Sequence, residues 1–260
     1  MNKSGNKNAL VLFAKAPIAG EVKTRLQPEI TPENSARLQE ALIKDSIFMM
    51  SKISDVKRFI YFLPEEKKYM FEKFTDDLPF HLNCQNGVDL GEKMANAFHD
   101  LFDKGFFRVV IIGTDSPTLP KEYINKAFLG LNEADLVIGP SVDGGYYLIG
   151  FKEKVSPVFS PVEWGSNKVL SQTEKLIKKH NLKRRVAATK RSYRSSDLTE
   201  KTCSKNKFLH SNAITLYLLP VHYDIDTIED TRFLKTHLQL LSRSGEDIPV
   251  NTTSIVEDML

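Results

Sequence analysis

The segment that decides the fold lies near the start of the chain and reads ALVLFAKAPIAGEVKTRL, residues 9–26. Its first six residues are all apolar, which is typical of a β-strand covered on both faces in a parallel sheet. Turn-forming residues follow at once, with Pro17 and Gly20 among them. The segment therefore predicts a buried strand that ends in a polar turn.

Similar apolar runs recur along the chain and alternate with helical patterns. The further predicted strands span residues 56–63, 107–113, 134–139, 145–151 and 215–219. The predicted helices span residues 32–53, 90–104, 166–179 and 227–241, and the first of them has Thr31 as its N-cap. This alternation predicts an α/β fold with a mostly parallel sheet and helices on both faces. Ligands of such sheets bind at the carboxyl ends of the strands, so the polar residues after each strand are the candidates for a site.

Composition narrows the class of protein. The chain has 260 residues, of which 41% are hydrophobic and 27% charged, and a net charge of +3, which is typical of a globular protein and argues against wholesale disorder. Its two cysteines, Cys84 and Cys203, are too few for a disulfide framework. The apolar runs fall far short of the roughly 20 residues that cross a bilayer, and the polar start does not resemble a signal peptide. We therefore expect a cytoplasmic protein with no membrane partner.

One basic segment departs from the alternating pattern. Residues 183–212 contain nine lysines and arginines against two acidic residues, so the rest of the chain is net acidic. The segment lacks a sustained apolar period, and we interpret it as a mobile surface insertion. Residues 1–242 are predicted to form a single domain, and residues 243–260, rich in Ser, Thr, Asp and Glu, a flexible tail.

The turn after the first strand is a candidate phosphate site. It carries three cations, Lys15, Lys23 and Arg25, together with the backbone N–H groups around Ala14 and Gly20. Phosphates are stabilised by charge-assisted hydrogen bonds and by the fixed dipoles of such a loop. It is not a Walker loop, because that motif needs glycine directly before the lysine. A solvated basic loop is the alternative interpretation.

An acidic residue follows the strand at 107–113, in the sequence GTDSPTLP of residues 113–120. Asp115 stands just past a buried strand, where a carboxylate packs poorly but suits Mg²⁺ or Mn²⁺, since these cations prefer carboxylate and phosphate oxygens. The alternative is that Asp115 caps a helix that begins near Leu119.

A second acidic cluster follows the last strand and reads YDIDTIED, residues 223–230. Asp224 and Asp226 lie on the same side if the backbone is extended there. Thr227 is placed to cap a helix whose first turn holds Glu229 and Asp230, which explains those two acids structurally. Asp226 therefore remains as the better metal candidate, converging with Asp115 on one cation.

Two glycine-rich loops complete the candidate regions. Gly87 and Asp89 precede the helix at 90–104 and are predicted to bring backbone close to a base or ribose. The loop at 139–147 joins two strands and places Asp143 and Tyr146 on one cleft if the strands are adjacent, although as a hairpin turn it needs no function. Trp164 is either a packed residue or an aromatic contact for a sugar at the cleft rim.

Four ordered motifs resemble one bacterial family. They are FAKAP with GEVKTRL (residues 13–17 and 20–26), GTDSP (113–117), DGGYYL (143–148) and YDIDT (223–227). The family is the DUF2064 type, which is related to glycosyltransferases of the nucleotide-diphospho-sugar transferase (GT-A) fold and includes proteins named arsenosugar-biosynthesis glycosyltransferases. It is also similar to phospholactate guanylyltransferases and, more distantly, to molybdenum-cofactor nucleotidyltransferases. The resemblance runs from about residue 9 to residue 241, and the basic segment is the departure from it.

The resemblance implies a three-layer, Rossmann-like GT-A fold and a set of roles. Lys15, Lys23 and Arg25 hold phosphates, while Asp115 and Asp226 bind Mg²⁺ or Mn²⁺. The nucleotide-binding set is completed by Ala14, Gly20, Gly87 and Asp89. The predicted acceptor pocket is lined by Asp143, Gly144, Gly145, Tyr146 and Trp164.

The function expected from these residues is metal-dependent transfer from a nucleotide sugar to a small-molecule acceptor. Asp115, through the metal, and Lys23 stabilise the departing nucleoside diphosphate, and Asp143 acts as the base. The alternative is a nucleotidyltransferase, in which an acceptor phosphate attacks a nucleoside triphosphate and no protein base is needed. A third hypothesis, from another class, is a non-catalytic protein that binds nucleic acid through residues 183–212; this is the least favoured, because scattered basic charge without a stacking platform is usually solvated.

Overall fold

A seven-stranded sheet forms the centre of the protein. The structure, a computed structural model, describes residues 7–76, 78–155, 157–192 and 213–260, with residues 182–192 described by their backbone alone. The strands are β1 (Asn8–Lys15), β2 (Lys57–Leu63), β3 (Phe80–Cys84), β4 (Arg108–Ile112), β5 (Leu136–Pro140), β6 (Tyr146–Lys152) and β7 (Leu216–Leu218). Their order across the sheet is β3-β2-β1-β4-β6-β5-β7.

Every strand except β6 runs in the same direction. β6 pairs antiparallel with both β4 and β5, whereas the pairs β1–β2, β1–β4, β2–β3 and β5–β7 are parallel. The prediction of a mostly parallel α/β sheet is confirmed. One edge of the sheet therefore collects the carboxyl ends of β1, β4, β5 and β7 and the start of β6, where a ligand site is expected.

Helices cover both faces of this sheet. They are α1 (Pro32–Ser51), α2 (Lys68–Thr75), α3 (Leu90–Asp103), α4 (Lys121–Gly130), α5 (Val169–Ser192), α6 (Ile228–Ser244) and α7 (Val250–Met259). One face packs on α1, α2 and α4 through residues such as Ile47, Phe71 and Ile124. The other face packs on α3 and α5 through Phe98 and Ile177. Because alternate side chains of β1 enter each layer, its continuous apolar run is buried on both faces.

A third apolar cluster lies outside the two sheet layers and supports the loops of the sheet edge. It joins α1, α6 and α7 through Leu42, Leu238 and Val256. It also contains Leu26, from the turn after β1, and Ile225, from the segment between β7 and α6. Two loops that are about 200 residues apart in sequence are thereby held on one apolar support.

Helix capping follows the predictions made from the sequence. The Thr31 side chain accepts a hydrogen bond from Asn34 N at 3.2 Å, with Pro32 at the first helical position of α1. Thr227 and Asp230 form a capping box at the start of α6. The N-cap position of α4 is Pro120, so the alternative that Asp115 caps this helix is wrong.

Two expectations about the chain's later part need correction. Residues 250–259 form α7 instead of a frayed tail, because Thr252 and Val256, one helical turn apart, are fully buried and the start of the helix is held by α1. Residues 183–192 continue α5 and are not part of a loop insertion. The remainder of the predicted insertion, residues 193–212, lies outside the described residues. Within the described ranges, no helix is long and apolar enough to cross a membrane.

Candidate functional site

The loops after β1, β4, β5 and β7 meet at one edge of the sheet. Lys23 Nζ lies 2.7 Å from Asp115 Oδ1 and 3.7 Å from Asp226 Oδ1, and it also donates a hydrogen bond to the backbone oxygen of Ile225. The structure thus brings together three residues that the sequence analysis selected from three separate motifs. They line a cavity of about 420 Å³.

The turn after β1 presents Lys23 to the carboxylates. Lys23 has left-handed backbone angles, φ 50° and ψ 38°, and precedes a single 3₁₀ turn at Thr24–Leu26. Leu26 anchors this turn because its side chain is fully buried in the third apolar cluster. A non-glycine residue in this region of backbone space is uncommon and marks a place where the fold fixes a side-chain direction.

Backbone and side-chain contacts fix Asp115 next to the segment after β7. Ile225 N donates to the backbone oxygen of Asp115 at 2.9 Å, which joins the two segments directly. Thr114 Oγ1 donates to Asp115 Oδ1 at 3.1 Å, and Gln39 Nε2 donates to Thr114 Oγ1 at 3.2 Å. Thr114, in the same loop, therefore orients the Asp115 carboxylate, and Gln39 of α1 orients Thr114 in turn.

Asp226 also belongs to a cluster of three carboxylates. Asp143, Asp224 and Asp226 each offer one oxygen, and these oxygens lie within 4.8 Å of one another. Asp143 reaches the others because the segments after β5 and β7 pair, with Val142 N donating to His222 O at 3.0 Å. Asp226 is the metal ligand expected from the sequence, and Asp224 lies in the same cluster; the two-residue spacing is the signal that both belong together.

The electrostatics of this cluster are unfavourable without a cation. Burial raises the pKa of Asp224 to about 6; the Ser141 hydroxyl opposes this shift, and the charges of Asp143, Asp226 and Asp115 add to it. Burial also raises the pKa of Asp226, although Lys23 and Arg25 act in the opposite direction. Carboxylate oxygens at this density suit a hard divalent cation, which would neutralise their repulsion. The donor set therefore fits Mg²⁺ or Mn²⁺.

The three predicted phosphate cations occupy different surroundings. Lys15 is exposed and lines the cavity. Arg25 also lines it, with NH1 3.3 Å from Asp226 Oδ2 and NH2 donating to Gly165 O at 3.3 Å. The Lys23 side chain is only 5% exposed and faces the carboxylates. Lys15 and Arg25 are thus exposed at the cavity, with Arg25 also paired to Asp226, whereas the Lys23 side chain is buried against acidic partners.

The predicted base or ribose loop contacts the start of α3 in this structure. The Asp89 side chain caps α3 by accepting from Glu92 N at 2.8 Å. Gly87, at φ +143°, allows the loop to lie against the start of α3, where a Cβ atom would come 2.7 Å from Lys93 N. Ala14 lines the cavity, whereas Gly20, Gly87 and Asp89 are not among its lining residues. Gln85, which the sequence analysis did not select, does line it and is held by Ala14 O at 3.3 Å and Tyr61 O at 2.9 Å.

The hairpin between β5 and β6 forms the other side of the site. The exposed Asp143 accepts from Gly145 N at 2.8 Å. Gly144, at φ +91°, lies against the segment that leads to α5, where a Cβ atom would come 2.2 Å from Asn167 O. Tyr146 lines the cavity, and its ring meets Trp164 edge to face with centroids 6.3 Å apart. Trp164 also packs on Gly91, so it supports the cavity wall from behind.

The middle of the chain matches a bacterial family. The family described as "Uncharacterized protein conserved in bacteria (DUF2064)" matches residues 48–166. The family resemblance expected from the motifs is thereby confirmed for this segment, which contains Asp115 and Asp143 and leaves Lys23 and Asp226 outside it. No curated protein sequence matches the chain.

A solved structure shares the fold over nearly the whole of this chain. A "putative nucleotide-diphospho-sugar transferase" from Desulfovibrio desulfuricans G20 has a TM-score of 0.74 and 26% identity, covering 97% of this chain and 94% of that one. A 4-diphosphocytidyl-2C-methyl-D-erythritol synthase from Anaerococcus prevotii DSM 20548 has a TM-score of 0.49 and 12% identity, covering 90% of this chain and 97% of that one. A cytidylyltransferase from Leptospira borgpetersenii has a TM-score of 0.46 and 11% identity, covering 97% and 94%. The predicted nucleotide-diphospho-sugar transferase fold is confirmed.

Proposed function

We propose that this protein is a metal-dependent glycosyltransferase that uses a nucleotide-sugar donor and a small-molecule acceptor. The observation that carries the proposal is the meeting of Lys23, Asp115 and Asp226 at the carboxyl edge of the sheet, beside a cavity large enough for part of a nucleotide. The similarity to the transferase from D. desulfuricans, over nearly the whole of both chains, supports the same conclusion.

Asp226 is the central metal ligand in this proposal, with Asp115 and Asp224 as the carboxylates that complete the site. When bound, Mg²⁺ or Mn²⁺ supplies charge that stabilises a departing diphosphate. Lys15 and Arg25, which face the cavity, bind the donor phosphates. Together these groups hold the donor with its leaving group in a cationic environment.

Asp143 is the proposed general base. It is exposed at the tip of the β5–β6 hairpin, within reach of the cluster that contains Asp226. An acceptor hydroxyl attacks the anomeric carbon of the sugar, the bond from that carbon to the phosphate oxygen breaks, and the nucleoside diphosphate leaves with the electron pair. The Asp143 carboxylate takes the proton of the hydroxyl. Tyr146 and Trp164 supply the apolar wall on the acceptor side.

The charge of the acceptor side favours sugar transfer over nucleotidyl transfer. Asp143 and Asp224 lie beside Asp226, and the ion pairs of Asp226 already engage Lys23 and Arg25. A phosphorylated acceptor would approach this carboxylate cluster against its charge, whereas a neutral polyol would not. We therefore infer a neutral acceptor.

One assay decides between the two kinds of transfer. The protein is incubated with Mn²⁺ and a panel of nucleotide sugars or nucleoside triphosphates, chosen by the rise in melting temperature that each produces. Release of a nucleoside diphosphate from a nucleotide sugar is the expected result. Release of pyrophosphate from a triphosphate, together with a stable nucleotidylated product, would replace the glycosyltransferase by a nucleotidyltransferase.

A further inference from the structure

The Lys23 ammonium lies where a cation between Asp115 and Asp226 would lie. Its three oxygen neighbours are one oxygen of each carboxylate and the backbone oxygen of Ile225. Oxygen atoms of this kind are also ligands of hard divalent cations. The singly charged ammonium thus lies among oxygen atoms that are suited to bind a divalent cation.

Both oxygens of Asp226 have a cationic neighbour. Lys23 is next to Oδ1, and Arg25 NH1 is 3.3 Å from Oδ2. A divalent cation bound to Asp226 therefore has to compete with one of these side chains. The two differ in environment, because the Lys23 side chain is 5% exposed and that of Arg25 is 61% exposed. The buried Lys23 charge is the stronger competitor, since solvent screens the Arg25 pair.

The backbone of Lys23 lies at the border of the cavity and fixes the position from which the side chain extends. Lys23 is the left-handed residue of the turn after β1, and it lines the cavity together with Lys15 and Arg25. A rotation about its side-chain bonds moves the ammonium from the carboxylates towards the space assigned to the donor phosphates. Lysine suits such an exchange because its charge is compact and its stem is flexible.

We propose that Lys23 is an internal counter-ion that holds the metal site in the donor-free protein and is exchanged for the divalent cation when the donor binds. The inference rests on the proposed function, since it takes the carboxylates as metal ligands. A metal ion that binds without the donor displaces the Lys23 ammonium and leaves it without an acidic partner. When the donor binds as well, its phosphates provide a new partner for the ammonium. Metal and donor then bind cooperatively, with Lys23 as the positioning residue that couples them.

The test is direct binding of Mn²⁺ to the donor-free protein, measured by titration calorimetry or by the electron paramagnetic resonance of free Mn²⁺. Lys23→Met removes the competing charge, so Mn²⁺ affinity is expected to rise about tenfold over wild type. Lys15→Met is the matched control: it removes the same charge from the same cavity, while the ion pairs of Asp115 and Asp226 with Lys23 and Arg25 stay in place. Its Mn²⁺ affinity is expected to equal that of wild type.

A second variant keeps the inference testable if Lys23→Met folds poorly. Lys23→Gln also lacks the charge but retains a donor for Ile225 O. Each variant is expected to melt below wild type without Mn²⁺ and to gain more than wild type when Mn²⁺ is added. Unchanged or weaker Mn²⁺ binding in both variants, or a failure of Mn²⁺ to restore their stability, would overturn the exchange. These outcomes are independent of the assay of donor cleavage, which alone decides the proposed reaction.

Discussion

Asp115 illustrates how the surroundings of one carboxylate make it a candidate for a functional role. It follows a buried strand, its side chain is 43% exposed towards the cavity, and it shares Lys23 with Asp226. Its backbone oxygen accepts from Ile225 N, so the position of the residue does not depend on its charge. A substitution that removes the charge and keeps the shape therefore separates function from folding.

We predict that Asp115→Asn abolishes transfer while the fold remains intact. The loss of one metal ligand at a developing charge is expected to lower turnover by at least about 100-fold. Turnover is measured with the donor found in the screen, and far-ultraviolet circular dichroism checks the fold. Wild-type turnover with an unchanged Mn²⁺ dependence would remove Asp115 from the proposed metal site.

We predict that Asp224→Asn raises the melting temperature of the metal-free protein at neutral pH. Because burial raises the pKa of Asp224 to about 6, the ionised form costs folding free energy above that pH, while below about pH 4 the group is protonated in folded and unfolded chains alike. The gain is expected to be about 1 kcal/mol, or about 2–4 °C, at pH 7.5 and to vanish near pH 4. Melting curves at both pH values check this.

The exposed Asp103, for which the same change removes no buried charge, provides the control. Asp103→Asn is expected to leave the melting temperature unchanged at both pH values. A gain in the Asp224 variant that persists at pH 4 would show that its cause is not the ionisation of the carboxyl.

At the scale of secondary structure, strands with continuous apolar runs and helices with a regular apolar period were predictable, whereas some short or largely polar elements were missed. β1, β4 and β5 are buried on both faces, which their composition shows directly. β3, Phe80–Cys84, was missed because it is a half-buried edge strand with polar residues in its short sequence. α7 was missed because its sequence is largely polar, and contact with α1 stabilises it.

The same contrast holds within the candidate site. The motifs identified Lys23, Asp115 and Asp226, because charged residues in the loops that follow buried strands do not contribute to the apolar core. The direction of the Lys23 side chain depends on Asp226, which is 203 positions later, and no local pattern contains that information. The contact between Asp143 and Asp224 likewise depends on the pairing of the segments after β5 and β7.

The β5–β6 hairpin offers a test at the level of an element. We predict that Gly144→Ala destabilises the protein and impairs acceptor use, because the added Cβ would lie 2.2 Å from Asn167 O at a residue with φ +91°. Gly165→Ala is the matched control, with φ +79° and nothing within 4 Å of the added Cβ. We expect about 1 kcal/mol for the control, from its backbone angle alone, and at least about 2 kcal/mol more for Gly144→Ala. Denaturant unfolding measures both; equal losses would show that the contact with Asn167 is unimportant.

At the scale of the whole molecule, α7 packs on the third apolar cluster, which supports the loops of the candidate site. The buried Asp45 of α1 accepts from Asn251 N at 3.2 Å, Asn251 Nδ2 at 2.7 Å and Thr252 N at 2.7 Å. Val256 of α7 lies in the apolar cluster that also contains Leu26 and Ile225. The packing of α7 therefore stabilises the two loops that carry Lys23 and Asp226.

We predict that Asp45→Ala releases α7 and weakens the site at a distance. Hydrogen bonds to a charged group contribute about 1.5–3 kcal/mol, so the melting temperature is expected to fall by about 5–10 °C. Hydrogen exchange should increase in residues 250–259 and, to a smaller degree, around Ile225, and Mn²⁺ affinity should fall. Asp258→Ala, which breaks only a surface pair with Arg37 at 3.3 Å, should change none of these. Faster exchange confined to residues 250–259 would limit α7 to a local role.

The wide spacing of the site residues along the chain has a consequence for biosynthesis. During translation, β1 and its cationic turn leave the ribosome long before the acidic segment at residues 223–227 exists, and α7 follows later still. A nascent chain therefore presents Lys23 and Asp115 before Asp226, their shared neighbour, exists. In such a precursor the carboxylate cluster of Asp143, Asp224 and Asp226 is incomplete, so the candidate site takes shape only after residues 223–227 have been synthesised.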